Sequence, residues 1–433
     1  MFGKVTRHNT SCMKHHLFSA LKVRPFLFLW LAELLSQVAT NMTNFILLLM
    51  VFSLTGSNTA VSGIMIAFLL PAILFGIFAG VFVDHQDKKH VLTTTNIVRG
   101  IILFILAYVN QSLLGVYLLT FAVATATQFF IPAETPMIPL LVDKKLLLSA
   151  NALFGIAFYG SLLIAYALSG PLLIFFGQQQ VFLALSLLFF VATIFSSLIT
   201  RTSEIKKQSR MGKGLQVGGE IKEALHTIFA SKKIYHSFLL LSVSQILVLV
   251  IAVIGPGFAS HILHIPVNTF PLLFVMPAAV GMGVGALLLT TYFHSVSKDT
   301  IINIGLFTTA LAIFLLPFVG SLVARPFSID AHGYVPHVLL TPKIDFMILL
   351  AFFSGLANAF VFVPANTLIQ EETSDEVRGK IYGALNSLIS LLSIIPIVMV
   401  GSLADIFGVG SVLSVIGVSI GILGVFRLYL ARE

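Results

Sequence analysis

Residues 201–236 read RTSEIKKQSRMGKGLQVGGEIKEALHTIFASKKIYH, the longest polar stretch in the chain. Gly212, Gly214, Gly218 and Gly219 loosen it, and Glu220 to Ala230 have the makings of one short amphipathic helix on a membrane surface. Everything on either side of it is apolar by comparison. A bilayer core takes about 20 apolar residues of helix. Polar and Gly/Pro punctuation cuts the chain into such stretches at 25–53, 60–83, 90–109, 113–141, 150–176 and 180–200 before the polar segment. After it come 236–262, 269–293, 300–323, 345–370, 381–404 and 408–429. Six spans precede the segment and six follow, so it reads as a linker between halves. The runs are too long, and alternate too little, for barrel strands of about 10 residues. The expected fold is an all-α integral membrane protein of twelve transmembrane helices in two pseudo-symmetric six-helix bundles. Residues 1–24 form a tail, 25–200 the first bundle, 201–235 the linker, 236–429 the second bundle and 430–433 the C-terminus.

Composition agrees. Of 433 residues, 58% are apolar and 10% charged, against roughly 25% charged in soluble domains, and the mean hydropathy is +1.02. A soluble protein is excluded. The formal charge of +8 belongs to topology rather than to nucleic acid. Of the 25 Lys and Arg, all but Arg325 and Lys343 gather on the side of the N-terminus, Arg99 being counted with them. The positive-inside rule then places both termini in the cytoplasm and the protein in the cytoplasmic membrane. No basic stretch carries the interleaved aromatics of a single-strand groove, so no nucleic-acid partner is expected. The basic tail reads as lying near anionic membrane lipids. The stretch from Phe26 is too long for a signal h-region and lacks a cleavage site, so it is read as retained. The single cysteine, Cys12, excludes a disulfide framework and a Cys-rich metal site.

The two halves echo each other. Pro71-Ala72 has a counterpart in Pro277-Ala278, and Pro132-Ala133-Glu134-Thr135 in Pro364-Ala365-Asn366-Thr367, with the longer loop near 324–344 reconciling the two offsets. A parallel repeat of two six-helix halves is a transporter plan, with the substrate path between the halves.

The loop after the second span reads GVFVDHQDKK, Gly80 to Lys89. It resembles the signature of the major facilitator superfamily: Gly, three residues, Asp, then a basic pair. LWLAELLSQ at 29–37, LTGSNTAVS at 54–62, PAETPMIPLLV at 132–142, SANAL at 149–153 and RGKIYGALNSL at 378–388 are similar to the branch of macrolide-efflux-like and siderophore exporters. VPANTLIQE at 363–371 resembles the bacterial lysophospholipid transporter, which keeps a lipid transporter or flippase as the alternative. The resemblance implies a secondary transporter, an antiporter that exports an amphipathic compound and uses protons as coupling ion. Two positions depart from it. His85 stands where the loop motif commonly has Arg, and Ala39-Thr40 replace a Gly-Asp pair usual in the first span, removing one candidate proton carrier. Read on its own chemistry, Gly80 would let two helices approach closely at the inner mouth, and Asp84 could bond a helix N-terminus or Lys88 and Lys89 in a gate. Arg378 is counted with this gate. A solvated charge run is the plain alternative.

A charge at mid-membrane costs on the order of 3 kcal/mol, so it marks a partner or a wet path. Glu33 lies about 12 Å into the first span at 1.5 Å per residue, and Glu134 sits in the fourth. Gln37, Asn41 and Asn44 follow Glu33 within an arc of about 80°. This strip either lines a cavity or bonds neighbouring helices. Weaker strips hold Asn151, Tyr159 and Tyr166; Asn358, Asn366 and Gln370; and Asn386, Ser390 and Ser393, while Gln128 and Gln245 stand singly. Together they would wall a cavity with amides and few charges, suited to an amphipathic small-molecule substrate. Gly170-Pro171 is faintly similar to the superfamily's antiporter motif. No GxxxxGK(S/T) phosphate loop is present, so no nucleotide cofactor is expected and a gradient must drive transport. The twelve histidines lack metal-ligand spacing, and His294 with Asp299 only mimics an acyltransferase pair. Neither metal nor enzymatic activity is expected, and the protein is expected to be monomeric.

Overall fold

The structure, a computed structural model, describes residues 18–84, 86–109, 112–200, 226–293, 296–320, 342–373 and 375–430. Among them every regular element is helical. A backbone surrounded by lipid has no water to bond, and a helix satisfies its own N–H and C=O groups. The principal helices are α1 (Arg24–Thr55), α2 (Asn58–Asp84), α3 (Lys88–Leu106), α4 (Leu113–Glu134) and α5 (Leu147–Leu198). They continue with α6 (Lys232–Phe258), α7 (Met276–Thr291), α8 (Lys298–Leu315), α9 (Pro342–Glu372), α10 (Asp375–Phe407) and α11 (Val409–Leu430).

Eleven segments are long and apolar enough to cross a membrane, and one of them, Ser149–Leu198, holds two crossings. The break is at Gly177, with φ 75° and ψ 166°, a region of backbone space open in practice only to glycine. Twelve crossings result, as expected. Caps set where several begin. Asp87 accepts from the Lys89 N–H at 3.1 Å to start α3, Ser112 from Gly115 at 3.2 Å to start α4, and Ser297 from Thr300 at 3.2 Å to start α8. The turn between α1 and α2 passes through Gly56 at φ 65°. Of the linker helix expected at 220–230, residues 226–230 are helical, and 201–225 lie outside the described residues.

The chain packs as two units. One comprises Met1–Asn44, Leu74–Ala165 and Phe176–Leu215, the other Phe45–Ile73, Tyr166–Phe175 and Gln216–Glu433. By contacts, the end of α1, the start of α2 and a stretch of α5 group with the second unit. They do so because Phe52, Asn58 and Gly170 pack on His261, Gly257 and Asn268. The first unit has a core of Phe26, Leu29, Val91, Leu92, Phe130, Met137 and Leu153. In the second, α7 and α9 meet backbone to backbone. A Cβ on Gly281 would fall 2.0 Å from the Phe352 carbonyl oxygen, and one on Gly355 would strike Ala278. Helices in lipid associate through such small-residue contacts, because no hydrophobic force drives them together.

Candidate functional site

Two polar sites stand out, one in each unit. The first is built where α1, α3 and α4 meet. Arg99 is 1% exposed, Glu33 3% and Glu134 6%, with Asn96 and Ser36 buried beside them. On α1, Glu33, Ser36 and Thr40 fall at i, i+3 and i+7, one helical face. Arg99 Nη2 donates to Asn96 Oδ1 at 2.6 Å, and that oxygen also accepts from the Ser36 hydroxyl at 2.8 Å. Arg99 Nη1 reaches Thr40 Oγ1 at 3.5 Å. The guanidinium carbon lies 4.1 Å from the Phe130 ring centre and 4.8 Å from that of Phe189, so the charge sits against two ring quadrupoles. The guanidinium interacts electrostatically with both acids, and the two carboxyl groups interact with each other. Among the described residues, Glu33 Oε2, Glu134 Oε1, Asn96 Nδ2 and Arg99 Nε have no hydrogen-bond partner. A buried network left part-satisfied is a costly arrangement and a mark of function rather than of packing.

Arg99, which the sequence reading counted only with the cations on the side of the N-terminus, is thus a member of this buried set. It sits eleven residues past Lys88, in the middle of α3. Nothing in its immediate neighbourhood, Ile97-Val98 before and Gly100-Ile101-Ile102 after, is polar, and that was the signal. Glu33 also departs from expectation, since it faces a cation within its own unit rather than a cavity. Thr40, which replaces an acid of the resembling branch, touches the same arginine.

The second site is a cavity of about 380 Å³ in the other unit. Its polar wall is Gln245 of α6, Asn366 of α9, and Tyr382, Asn386, Ser390 and Ser393 of α10; Leu69, Leu249 and Phe362 are among its apolar residues. The Tyr382 hydroxyl bonds Asn366 Oδ1. Asn386, Ser390 and Ser393 come to the wall together because they recur at one face of α10. Tyr382, one turn earlier on that face, was missed. No carboxylate, lysine or arginine is among the lining residues.

The remaining expected residues divide. Asn41 donates to Ser161 on α5 at 2.8 Å, and Asn358 accepts from Ser244 at 2.5 Å, so both serve helix pairing. Gln37, Asn44 and Gln128 are half-buried and Asn151 is exposed, all outside the cavity wall. The Tyr159, Asp84 and Arg378 side chains and His294 lie outside the described residues. Among the described residues a Cβ on Gly80 would meet nothing within 4 Å. Lys88 is buried and Lys89 half-buried at the start of α3. Asp299 pairs with Arg427 at 2.5 Å. Near it, Lys233 pairs with Glu372 at 2.7 Å and Lys298 with Glu371 at 2.5 Å. Gly170 is explained by packing: a Cβ there would lie 2.0 Å from the Asn268 carbonyl oxygen.

Comparison with known proteins agrees with this architecture. The profile of the Major Facilitator Superfamily matches residues 29–335. An uncharacterized MFS-type transporter of Bacillus subtilis (strain 168), YfiS, is 24% identical over 88% of this chain and 87% of its own. A second from the same organism, YkuC, is 27% identical over 45% of each. Among solved structures, the nucleoside transporter NupG matches with a TM-score of 0.73 at 12% identity, covering 94% of this chain and 99% of that one. An inward-facing bacterial homologue of the human lysosomal transporter Spinster matches with a TM-score of 0.71 at 14% identity, covering 95% and 97%. At these identities the likeness is one of fold.

Proposed function

We propose, on the ground that this chain belongs to the Major Facilitator Superfamily and is a multi-pass membrane transporter, that it exports an uncharged amphipathic compound in exchange for protons. Transport would proceed by alternating access across the cytoplasmic membrane, with both termini in the cytoplasm. The observation that carries the reading is the buried set of Arg99, Glu33 and Glu134. One arginine and two acids are electrically neutral when a single proton sits on the carboxyl pair. Releasing that proton leaves a net negative charge where the bilayer penalises it. The set is thus a one-proton carrier whose two states differ strongly in their need for water.

The substrate class follows from the cavity. The described wall offers a charged ligand no counter-charge, only amides, hydroxyls and a phenol. Those groups suit an uncharged, hydrogen-bonding end, and the leucines and Phe362 an apolar one. The outward direction is supported by the motifs shared with macrolide-efflux-like and siderophore exporters.

Inverted vesicles under an imposed proton gradient test this with a macrolide, an uncharged siderophore and a lysophospholipid as probes. One proton exchanged per uncharged substrate sustains about a 100-fold gradient at two pH units, since each unit corresponds to about 1.36 kcal/mol. Glu134→Gln should still equilibrate the transported probe but should not concentrate it. Full concentration by that variant refutes the proton role, and preference for a permanently charged probe refutes the substrate class.

A further inference from the structure

The carboxylate of Asp405, near the end of α10, receives five hydrogen bonds from the first turn of α2. Its Oδ1 accepts from the backbone N–H and the side-chain Nδ2 of Asn58, both at 2.8 Å. Its Oδ2 accepts from the Ser57 hydroxyl at 2.6 Å, the Thr59 N–H at 2.9 Å and the Thr59 hydroxyl at 2.7 Å. The donors come from the first half of the sequence and the acceptor from the second, 346 to 348 positions away. The acid also sits on the positive end of the α2 dipole, where unpaired N–H groups favour an anion.

The contact extends along both helices. Ser62, one turn into α2, donates to the Ile397 carbonyl oxygen at 2.8 Å. Between these two joints a Cβ on Gly401 would lie 2.0 Å from Ser62 Oγ and 2.7 Å from the Asn58 carbonyl oxygen. Residues 397, 401 and 405 thus form one face of α10, at i, i+4 and i+8, against 58 and 62 on α2. On the other side, Gly257 of α6 is bare where a Cβ would fall 2.4 Å from Asn58 Oδ1. Elsewhere in the same unit the Phe52 ring of α1 lies 5.9 Å from that of His261, and Gly170 of α5 packs against Asn268.

We infer that Asp405 is a positioning residue of the transport cycle, its carboxylate fastening the first turn of α2 to α10 so that this end of the protein stays shut until the five bonds break. Its chemistry suits a contact made and broken in each cycle. Ser57, Thr59 and Asp405 are open to water at one edge, so on parting every donor and both oxygens find replacement partners. The glycines bring the backbones close enough for the carboxylate to reach two N–H groups, and they offer no interlocking side chains to resist separation. The inference rests on alternating access and on neither the substrate nor the proton.

The test is a distance measurement on the full-length protein in lipid nanodiscs. Cys12 is the only cysteine, so Cys12→Ser gives a clean background. Spin labels go on Leu54→Cys and Ser411→Cys, exposed positions next to the contact. The parent should show a dominant short distance by double electron–electron resonance. Asp405→Asn and Asp405→Ala should raise the long-distance population at least roughly tenfold, while Ser57→Ala with Thr59→Ala, which keeps both backbone bonds, should give an intermediate rise. A merely structural role would lower thermal stability and leave the distribution in place. An unchanged distribution in folded Asp405→Asn or Asp405→Ala overturns the inference. If both fail to fold, an unchanged distribution in the Ser57/Thr59 pair does so. Because no substrate is added, failure of the export reading leaves the result intact.

Discussion

Replacing Arg99 by methionine removes the charge and keeps a flexible side chain of similar reach. Glu33 and Glu134 then lose the only cation that the site provides them, Asn96 Oδ1 loses a donor at 2.6 Å, and the rings of Phe130 and Phe189 lose their guanidinium. All three charged groups are 6% exposed or less, so solvent screening takes little from the effect. Breaking a buried charge set by removing one partner costs about 3–5 kcal/mol, because the charge left behind is uncompensated. The cation–π contribution of about 2 kcal/mol is already inside that figure. Removing all the charges should reverse most of the loss. Arg99→Met combined with Glu33→Gln and Glu134→Gln should return to within about 1–2 kcal/mol of the parent, since neutral groups of similar volume replace buried ion sets at little cost. Reversible unfolding in mixed SDS micelles measures this. Trp30, the only tryptophan, is the natural probe: it lies one turn before Glu33 and donates to the Leu153 carbonyl oxygen at 2.9 Å. A single Arg99→Met variant within about 1 kcal/mol of the parent, or a triple variant no more stable than the single, refutes the reading of these groups as one electrostatic unit.

Two further outcomes are expected. Asn386→Leu should weaken binding of the transported probe roughly 10-fold, the worth of about one hydrogen bond to an uncharged group, while leaving the dependence on proton gradient alone; a variant that changes the gradient dependence instead argues against separate sites. Gly177→Val forces a β-branched residue to φ 75° and ψ 166° and should cost about 1–3 kcal/mol of stability. Mixed-micelle unfolding reads it, and a neutral effect would mean that the break in α5 relaxes freely.

The crossings were legible because length and hydropathy are local quantities. Even the break in α5 showed in the sequence, as Gly177 followed by three glutamines. What the sequence concealed were partners. Glu33 was recognisable as an acid in an apolar helix, but its arginine lies 66 positions further along on another helix. Arg99 itself was counted only toward the sidedness of positive charge, a count that ignores depth, although the span boundaries 90–109 already enclosed it. Asp405, at the end of an apolar run, looked like any acid leaving a membrane. Its meaning depends on Asn58, 347 positions away, and no periodicity connects the two. The repeat was more informative than its individual residues. Glu134 and Asn366 are its equivalent positions, and one became part of the charged cluster while the other lines the uncharged cavity. Duplication thus supplied one scaffold position twice, and a single change of side-chain chemistry distinguishes the two uses.

That division bears on how a proton could drive a substrate. Among the described residues none of the charged cluster belongs to the cavity wall, so on the proposed reading proton and substrate would not compete for one side chain. Coupling between two separate sites requires a transition for which each ligand has unequal affinity, because a ligand that binds both states equally shifts nothing. On the proposed reading the carboxyl pair would meet that condition: without a proton the cluster would carry net charge and favour whichever state admits water, and with one it would favour the drier state. The Asp405 contact supplies the other requirement, a barrier between states made of bonds that water can replace. Strengthening it should therefore slow exchange without altering the accumulation ratio, whereas neutralising Glu134 should abolish accumulation without altering the contact. Rate and ratio are then governed by different residues, and a variant at either place that changes both would mean that the two sites are mechanically one.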